Sequence, residues 1–215
     1  MVQLGVAGGG HSLMVAVDTL DFGADGLLPC IMQDATTGEV LTLAYMNQEA
    51  LRRTRETAEM HFWSRSRGEL WRKGDTSGNT MRLRALRYDC DADALVALVD
   101  ASGPACHTGE RSCFFSGDTE PQPAEALAAL ERTIAERKRA GDTGVSYTAT
   151  LVADPGMIGD KVREEAEEVT RAARGESDQR VYEEAADVLY HLTVLLAARD
   201  LDLTGAFEEL NARRR

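Results

Sequence analysis

DCDADALVALVDASGPACHTGERSC, residues 89–113, carries three of the chain's four cysteines, Cys90, Cys106 and Cys113, and three aspartates, Asp89, Asp91 and Asp93, within five residues. Read as a strand, successive side chains alternate faces, so the aspartates share one side and Cys90 faces the other. Carboxylates suit a hard cation such as magnesium, and thiolates suit zinc. The cysteine spacing, C-x15-C-x6-C, lacks the close C-x2-C pairs of a structural zinc site. Three protein ligands with an open position describe a catalytic zinc. His107 as a fourth ligand would close the site instead, and unliganded thiols are the third reading. Gly103-Pro104 reads as a turn that carries Cys106 back towards Cys90.

Upstream, LLPCIMQD (27–34) and GEVLTLAYM (38–46) read as strands around a turn at Thr36-Thr37-Gly38. Asn47 reads as the N-cap of a helix with Leu51 on its inner face. His61-Phe62-Trp63 and Leu70-Trp71 look like short strands, as do residues 81–88 and 94–99. Arg65, Arg67, Arg72 and Lys73 lie beside a loop containing Gly74, Ser77, Gly78 and Asn79. Such a loop can cradle phosphate through backbone N–H groups, with arginine matching the oxygens bidentately. A solvated hairpin with surface arginines is the plainer reading of these residues alone. Residues 1–25, with Gly8-Gly9-Gly10, form a lead with little pattern. The first half, residues 1–116, is thus mostly β with one helix.

Residues 117–123 are a linker by composition, and residues 124–215 change to helical periodicity. Helices are expected over 124–139, 159–174, from Ser177 or Asp178 to about residue 199, and over 203–212. Residues 146–153 are ambiguous, and Asp154-Pro155-Gly156 reads as a turn. Glu165 and Glu168 form an E-x-x-E pair on one helix, Glu184 and Asp187 an E-x-x-D pair on the next. Spacings of three and four put each pair on one helical face. If the helices pack, four carboxylates converge, and such a group is stable when a cation holds it. A solvated acidic face, with Lys161 and Arg171 as partners, is the plainer reading. Asp187 lies on a helix too apolar for that, and His191, four residues on, reads as a satisfied core histidine.

The 215 residues carry a net charge of −12, which argues against a general nucleic-acid binder. No apolar stretch is long enough to span a membrane, and the N-terminus lacks the basic start and apolar run of a signal peptide. Reduced thiols fit a cytoplasmic chain, with Cys30 a small buried side chain.

The motifs DGLLPCIMQD, AYMN, FWSRSRGELWRKGDTSGN, DCDADAL and GPACHTGERSCFF resemble phosphoribosyl-AMP cyclohydrolase. SYTATL, KVREEAEEV and EEAADVLYHLTVLLAARDL resemble phosphoribosyl-ATP pyrophosphohydrolase, which is similar to the MazG-like all-α pyrophosphatases. The order is that of the bifunctional enzymes of histidine biosynthesis. The resemblance implies an α+β protein, a β-rich cyclohydrolase domain joined to an all-α domain. It implies hydrolysis of phosphoribosyl-ATP to phosphoribosyl-AMP and pyrophosphate, then opening of the adenine N1–C6 bond. Cys90, Cys106 and Cys113 would hold Zn2+, and Asp89, Asp91 and Asp93 Mg2+. Glu165, Glu168, Glu184 and Asp187 would hold Mg2+ in the second domain, with Glu164 a contributor. His107 would shuttle a proton, and Arg65, Arg67, Arg72, Lys73, Ser77 and Asn79 would grip the substrate phosphates. Members are homodimers with the zinc site near the subunit interface. Arg163 departs from the small residue expected before the paired glutamates. The competing function is a general nucleoside-triphosphate pyrophosphatase with a zinc-stabilised regulatory domain.

Overall fold

The computed structural model describes residues 19–120 and 122–214, so Gly8-Gly9-Gly10 and most of the lead lie outside the described residues. The chain forms two compact units, Met1–Glu120 and Pro121–Arg215. In the first, the elements in order are β1 (Leu28–Asp34), β2 (Val40–Met46), α1 (Gln48–Thr57), β3 (His61–Ser64), β4 (Glu69–Arg72), β5 (Met81–Tyr88) and β6 (Leu95–Ala101). They build a six-stranded sheet ordered β4-β3-β2-β1-β6-β5. The β1–β6 pair is parallel, and the other neighbours are antiparallel.

Period-two alternation selects the buried face. Leu28, Cys30 and Met32 of β1 are sealed, as are Leu95, Ala97 and Val99 of β6. Their register is in step, with Cys30 opposite Leu95 and Met32 opposite Ala97. Helix α1 closes this face with Ala50, Leu51 and Thr54. Its start is fixed by Asn47, whose side chain accepts from the Ala50 N–H at 2.8 Å. Leu20 joins the same core and Phe22 packs against it, so the end of the lead belongs to the folded unit. Burial pushes the Cys30 thiol up to about 12, leaving it a neutral apolar side chain at physiological pH.

The second unit contains α2 (Ala126–Ala140), α3 (Tyr147–Ala153), α4 (Pro155–Ala172), α5 (Asp178–Ala198) and α6 (Leu203–Ala212). Its core joins Ile134, Leu151, Ile158 and Val194 from four of these helices. Lys138 ties α2 to the end of α5 through the Ala197 carbonyl and Asp200. Among the described residues no helix is long and apolar enough to cross a membrane.

Two expectations are corrected and one open reading is resolved. Residues 89–93 are not a strand but a turn between β5 and β6, with Ala92 in the left-handed region at φ 63°. The ambiguous segment 146–153 contains α3, capped by Ser146. Asp154-Pro155 does not break the chain but starts α4. Asp154 accepts from the Gly156 and Met157 N–H groups, and proline at the first helical position loses no intrahelical hydrogen bond.

Candidate active sites

In the first unit a cavity of 680 Å³ opens beside β2, β3 and β4. Its wall brings together Arg67, Arg72, Lys73, Ser77 and Asn79 with Cys106, His107 and Cys113. Residues more than twenty-five apart in sequence therefore share one space because the loop after β6 folds back onto β2. The Cys113 N–H donates to the Leu41 carbonyl at 2.8 Å, and Lys73 Nζ donates to the Ala105 carbonyl at 2.8 Å. Arg65 is not part of this wall; its guanidinium lies 3.8 Å from the centre of the Tyr45 ring.

The basic loop is partly self-neutralised. Arg72 reaches Glu59 at 2.6 Å and Asp75 at 2.7 Å, and Arg67 reaches Glu69 at 2.8 Å. Its tightest point is Gly74, at φ +93°, where a Cβ would lie 2.8 Å from the backbone of Asn79 and Thr80. Only glycine fits there, and it lets the 74–79 loop close on itself.

Cys106 is buried and accepts from Thr108 Oγ1 at 3.1 Å. That donation, followed by the Thr108 backbone, holds the Cys106 thiol below its ordinary range. Cys113 shares a hydrogen bond with Cys106, and desolvation pushes it up. Two hydrogen-bonded thiols, one of them held towards its thiolate, fit a soft cation. His107 Nδ1 lies 3.8 Å from Cys106 Sγ. Thr108 and Trp71 lie inside the quoted motifs but were given no role at the site; the position of Thr108 two residues after a cysteine was the available signal.

Cys90 does not join this pair within one chain. It precedes β6 by five residues, and Cys106 follows β6 by five. A strand of that length spans roughly 20 Å at ~3.3 Å per residue. The turn after Gly103-Pro104 thus brings Cys106 to Cys113, not to the exposed Cys90.

The aspartates do gather. Asp89, Asp91 and Asp93 offer ligand atoms all within 4.8 Å of one another. The turn explains this better than strand alternation. Asp89 Oδ1 accepts from the Asp93 and Ala94 N–H groups, both at 3.1 Å, curling the segment around its own carboxylate. The Asp91 charge raises Asp93, with Asp89 adding to it, as like charges held close do.

In the second unit Glu165 on α4 and Glu184 and Asp187 on α5 likewise converge, again within 4.8 Å. Glu165 and Glu184 are buried, Glu184 at 2% exposure. Desolvation raises Glu184 above the ordinary carboxylate range, against the opposing charge of Arg180. Glu184 Oε1 touches the Arg180 guanidinium but makes no aligned hydrogen bond. Glu168 lies against Glu184 and donor Arg171, 2.9 Å away, holds it below its usual range. Asp187 is exposed in spite of its apolar helix, so the group joins two buried carboxylates to one open to solvent, and such converging oxygens with an unspent lone pair fit a hard divalent cation. Glu164 is exposed and accepts from Lys161 at 2.7 Å. Arg163 turns to Asp160 at 3.1 Å and is not drawn into the carboxylates. His191 is satisfied at only one nitrogen: Nδ1 bonds the Asp187 main-chain carbonyl at 2.9 Å, while buried Nε2 has no partner among the described residues.

Comparison with known proteins assigns both units. The phosphoribosyl-AMP cyclohydrolase family model matches residues 42–115, and the phosphoribosyl-ATP pyrophosphohydrolase family model matches residues 127–214. The chain is 49% identical to the histidine biosynthesis bifunctional protein HisIE of Bacillus subtilis, over 93% of this chain and 97% of that one. It is 47% identical to the HisIE protein of Gloeobacter violaceus, over 96% of each chain. With the Synechocystis HisIE protein the identity is 43%, over 94% and 95%. The regulatory-domain alternative finds no support in these matches, since the segment carrying the cysteine pair and the basic loop is itself matched as a cyclohydrolase. Sheet unit and helical unit alike match along nearly their whole length, and the chain belongs to the bifunctional histidine-biosynthesis family that joins a cyclohydrolase to a pyrophosphohydrolase.

Proposed function

We propose that this chain performs two successive hydrolyses on one nucleotide, the helical unit acting first. Phosphoribosyl-ATP loses pyrophosphate when water adds to its α-phosphorus and the α–β anhydride breaks. Phosphoribosyl-AMP then takes up water at C6 of the adenine. The N1–C6 bond breaks, C6 becomes a carboxamide carbon that keeps its amino group, and N1 gains the proton. The observation that carries this reading is the presence on one chain of two chemically distinct sites, a thiol pair facing a basic phosphate-type loop and a buried carboxylate cluster.

In the helical unit Glu165, Glu168, Glu184 and Asp187 would hold magnesium. When bound, it neutralises charge on the phosphates, usually the main source of rate enhancement in such reactions. In the sheet unit Cys106, Cys113 and Cys90 would hold zinc, which supplies Lewis-acid activation of water. Asp89, Asp91 and Asp93 would hold a further magnesium. Arg67, Arg72, Lys73, Ser77 and Asn79 bind the two phosphates of phosphoribosyl-AMP, with Arg65 as a sixth contact; Arg67 and Arg72 exchange their carboxylate partners for phosphate. Beside Cys106, His107 carries the proton from water towards N1.

Completing the cysteine set requires a second copy of the chain. Cys90 is exposed at one end of β6 and the Cys106–Cys113 pair sits beyond the other. Phe114 and Phe115, next to Cys113, are exposed at 60% and 46%, apolar surface that suits a subunit contact. A homodimer in which each copy lends Cys90 to the other satisfies both facts. Mixing Cys90→Ala and Cys106→Ala chains under exchange conditions should therefore restore ring opening that neither has alone. Failure to restore it in verified mixed dimers would return Cys90 to its own chain or remove it from the site.

The direct test is incubation of the protein with phosphoribosyl-ATP, Mg2+ and Zn2+ while following pyrophosphate and the ring-opened product together. Both should appear, pyrophosphate first. Hydrolysis of ordinary nucleoside triphosphates at comparable rates, with no ring-opened product, would overturn the assignment.

A further inference from the structure

The cations around the α4–α5 carboxylates are arranged as a network and not as separate helix partners. Arg180 contacts the buried Glu184 and also reaches Glu183 at 3.2 Å. Arg171 pairs with Glu168 at 2.9 Å. Both arginines lie 3.8 Å from Glu176, in the connection between α4 and α5. The two carboxylates that they hold are adjacent to each other. Yet the guanidinium-bearing side chains are 63% and 45% exposed. Arg171 engages carboxylates through Nη2 and Nε and leaves Nη1 to solvent, while Arg180 spreads Nη2, Nη1 and Nε over Glu184, Glu183 and Glu176, the last two being surface partners that a phosphate can replace.

We propose that Arg171 and Arg180 are exchangeable clamps. They neutralise Glu168 and Glu184 before the metal arrives, and then serve as the phosphate-recognition residues of the pyrophosphohydrolase site. This inference rests on the reading that the α4–α5 carboxylates hold a divalent cation. A desolvated carboxylate needs a counter-charge, and either a guanidinium or a metal ion can supply it. The two cannot share the same oxygens closely, because like charges a few ångströms apart repel. A bound metal therefore displaces the guanidinium. Glu176 keeps both displaced side chains at the rim, where the freed guanidinium nitrogens meet the substrate. Phosphoribosyl-ATP brings a triphosphate, and bidentate guanidinium–phosphate pairing is the strongest match such oxygens find. The four site carboxylates repel that polyanion, so cations beyond the metal are needed there.

The two roles predict effects of opposite sign from one substitution. In the full-length protein, Mn2+ serves as the probe, and free Mn2+ is counted by its electron paramagnetic resonance signal without nucleotide. The component that Glu184→Ala abolishes is the second-site component. Arg180→Gln should tighten that component about threefold to tenfold, the scale of one partly exposed ion pair. The same variant should raise the KM for phosphoribosyl-ATP about tenfold or more, with kcat at saturation within about a factor of three. Arg171→Gln should move both readouts the same way and carries the test alone if Arg180→Gln does not fold. Weaker or unchanged Mn2+ binding alongside a raised KM would make the arginines structural braces and overturn the proposal. Tighter Mn2+ binding with unchanged KM would overturn the phosphate role. If Glu184→Ala removes no Mn2+ component from the wild-type binding curve, the metal reading itself falls, and the inference with it.

Discussion

Cys106→Ala should abolish ring opening, by about 10³-fold or more, while pyrophosphate release from phosphoribosyl-ATP continues at the wild-type rate. The size follows from what the side chain is proposed to do. Partners that merely orient a metal's ligands carry ~10–100-fold, and a ligand itself carries more. Cys106 has the surroundings of a ligand. It is buried, accepts from Thr108 Oγ1, is held below the ordinary thiol range by that donation, and shares a hydrogen bond with Cys113. Alanine keeps most of the volume and removes the sulfur, so the loop from Ala105 to Cys113 retains its Ala105–Arg111 and Cys106–Glu110 backbone hydrogen bonds. The helical unit has its own core around Ile134, Leu151, Ile158 and Val194, so its packing does not include Cys106. Zinc content by atomic absorption and the two products are the measurements. Ring opening within tenfold of wild type would remove Cys106 from the ligand set. Loss of both activities in a folded variant would break the independence of the two sites.

Much of the scaffold was legible because local patterns and tertiary burial agree. The alternation that marked β1 is the alternation that buries Leu28, Cys30 and Met32, and Asn47 caps α1 as its side chain allows. The failures came where a local pattern had two physical outcomes. Alternating aspartates at 89, 91 and 93 mimic a half-exposed strand, but Ala92 adopts φ 63° and the carboxylates gather by curling around Asp89. Asp-Pro at 154–155 serves a turn or a helix start equally well, and the capping bonds to Gly156 and Met157 decide for the helix. The strand between Cys90 and Cys106 was expected, but sequence spacing could not reveal that the loop after it returns to β2 and not to Cys90. Nor could it tell Glu164 from Glu165. They are neighbours on one helix, but about 100° of rotation leaves the first on Lys161 in solvent and buries the second against α5.

Glu184→Ala should give the reciprocal pattern to Cys106→Ala. Pyrophosphate release should fall by about 10³-fold or more, the scale expected for a lost ligand, while supplied phosphoribosyl-AMP is still opened. Here stability separates two explanations that activity alone would leave together. If Glu184 is chiefly the inner half of a structural ion pair with Arg180, its removal leaves α4 and α5 less stable, and activity falls because the helices loosen. If it is a metal ligand held ready, the folded protein already bears a cost: desolvation raises the carboxyl, Glu168 and Glu165 add to that, and Arg180 only partly offsets them. Alanine is also the better helix former. On that account the metal-free variant melts at or above the wild-type temperature while its pyrophosphate release is lost. Glu164→Ala is the control one residue from the site: exposed and paired with Lys161, it should keep release within about a factor of three, the weight of a solvent-screened pair. Melting of the metal-free proteins, read at the helical signal, decides between the accounts. A lowered melting temperature in Glu184→Ala would make the Arg180 contact the reason for its burial. An unchanged or raised one, with activity gone, identifies a carboxylate kept buried at a cost to stability because the reaction needs it there.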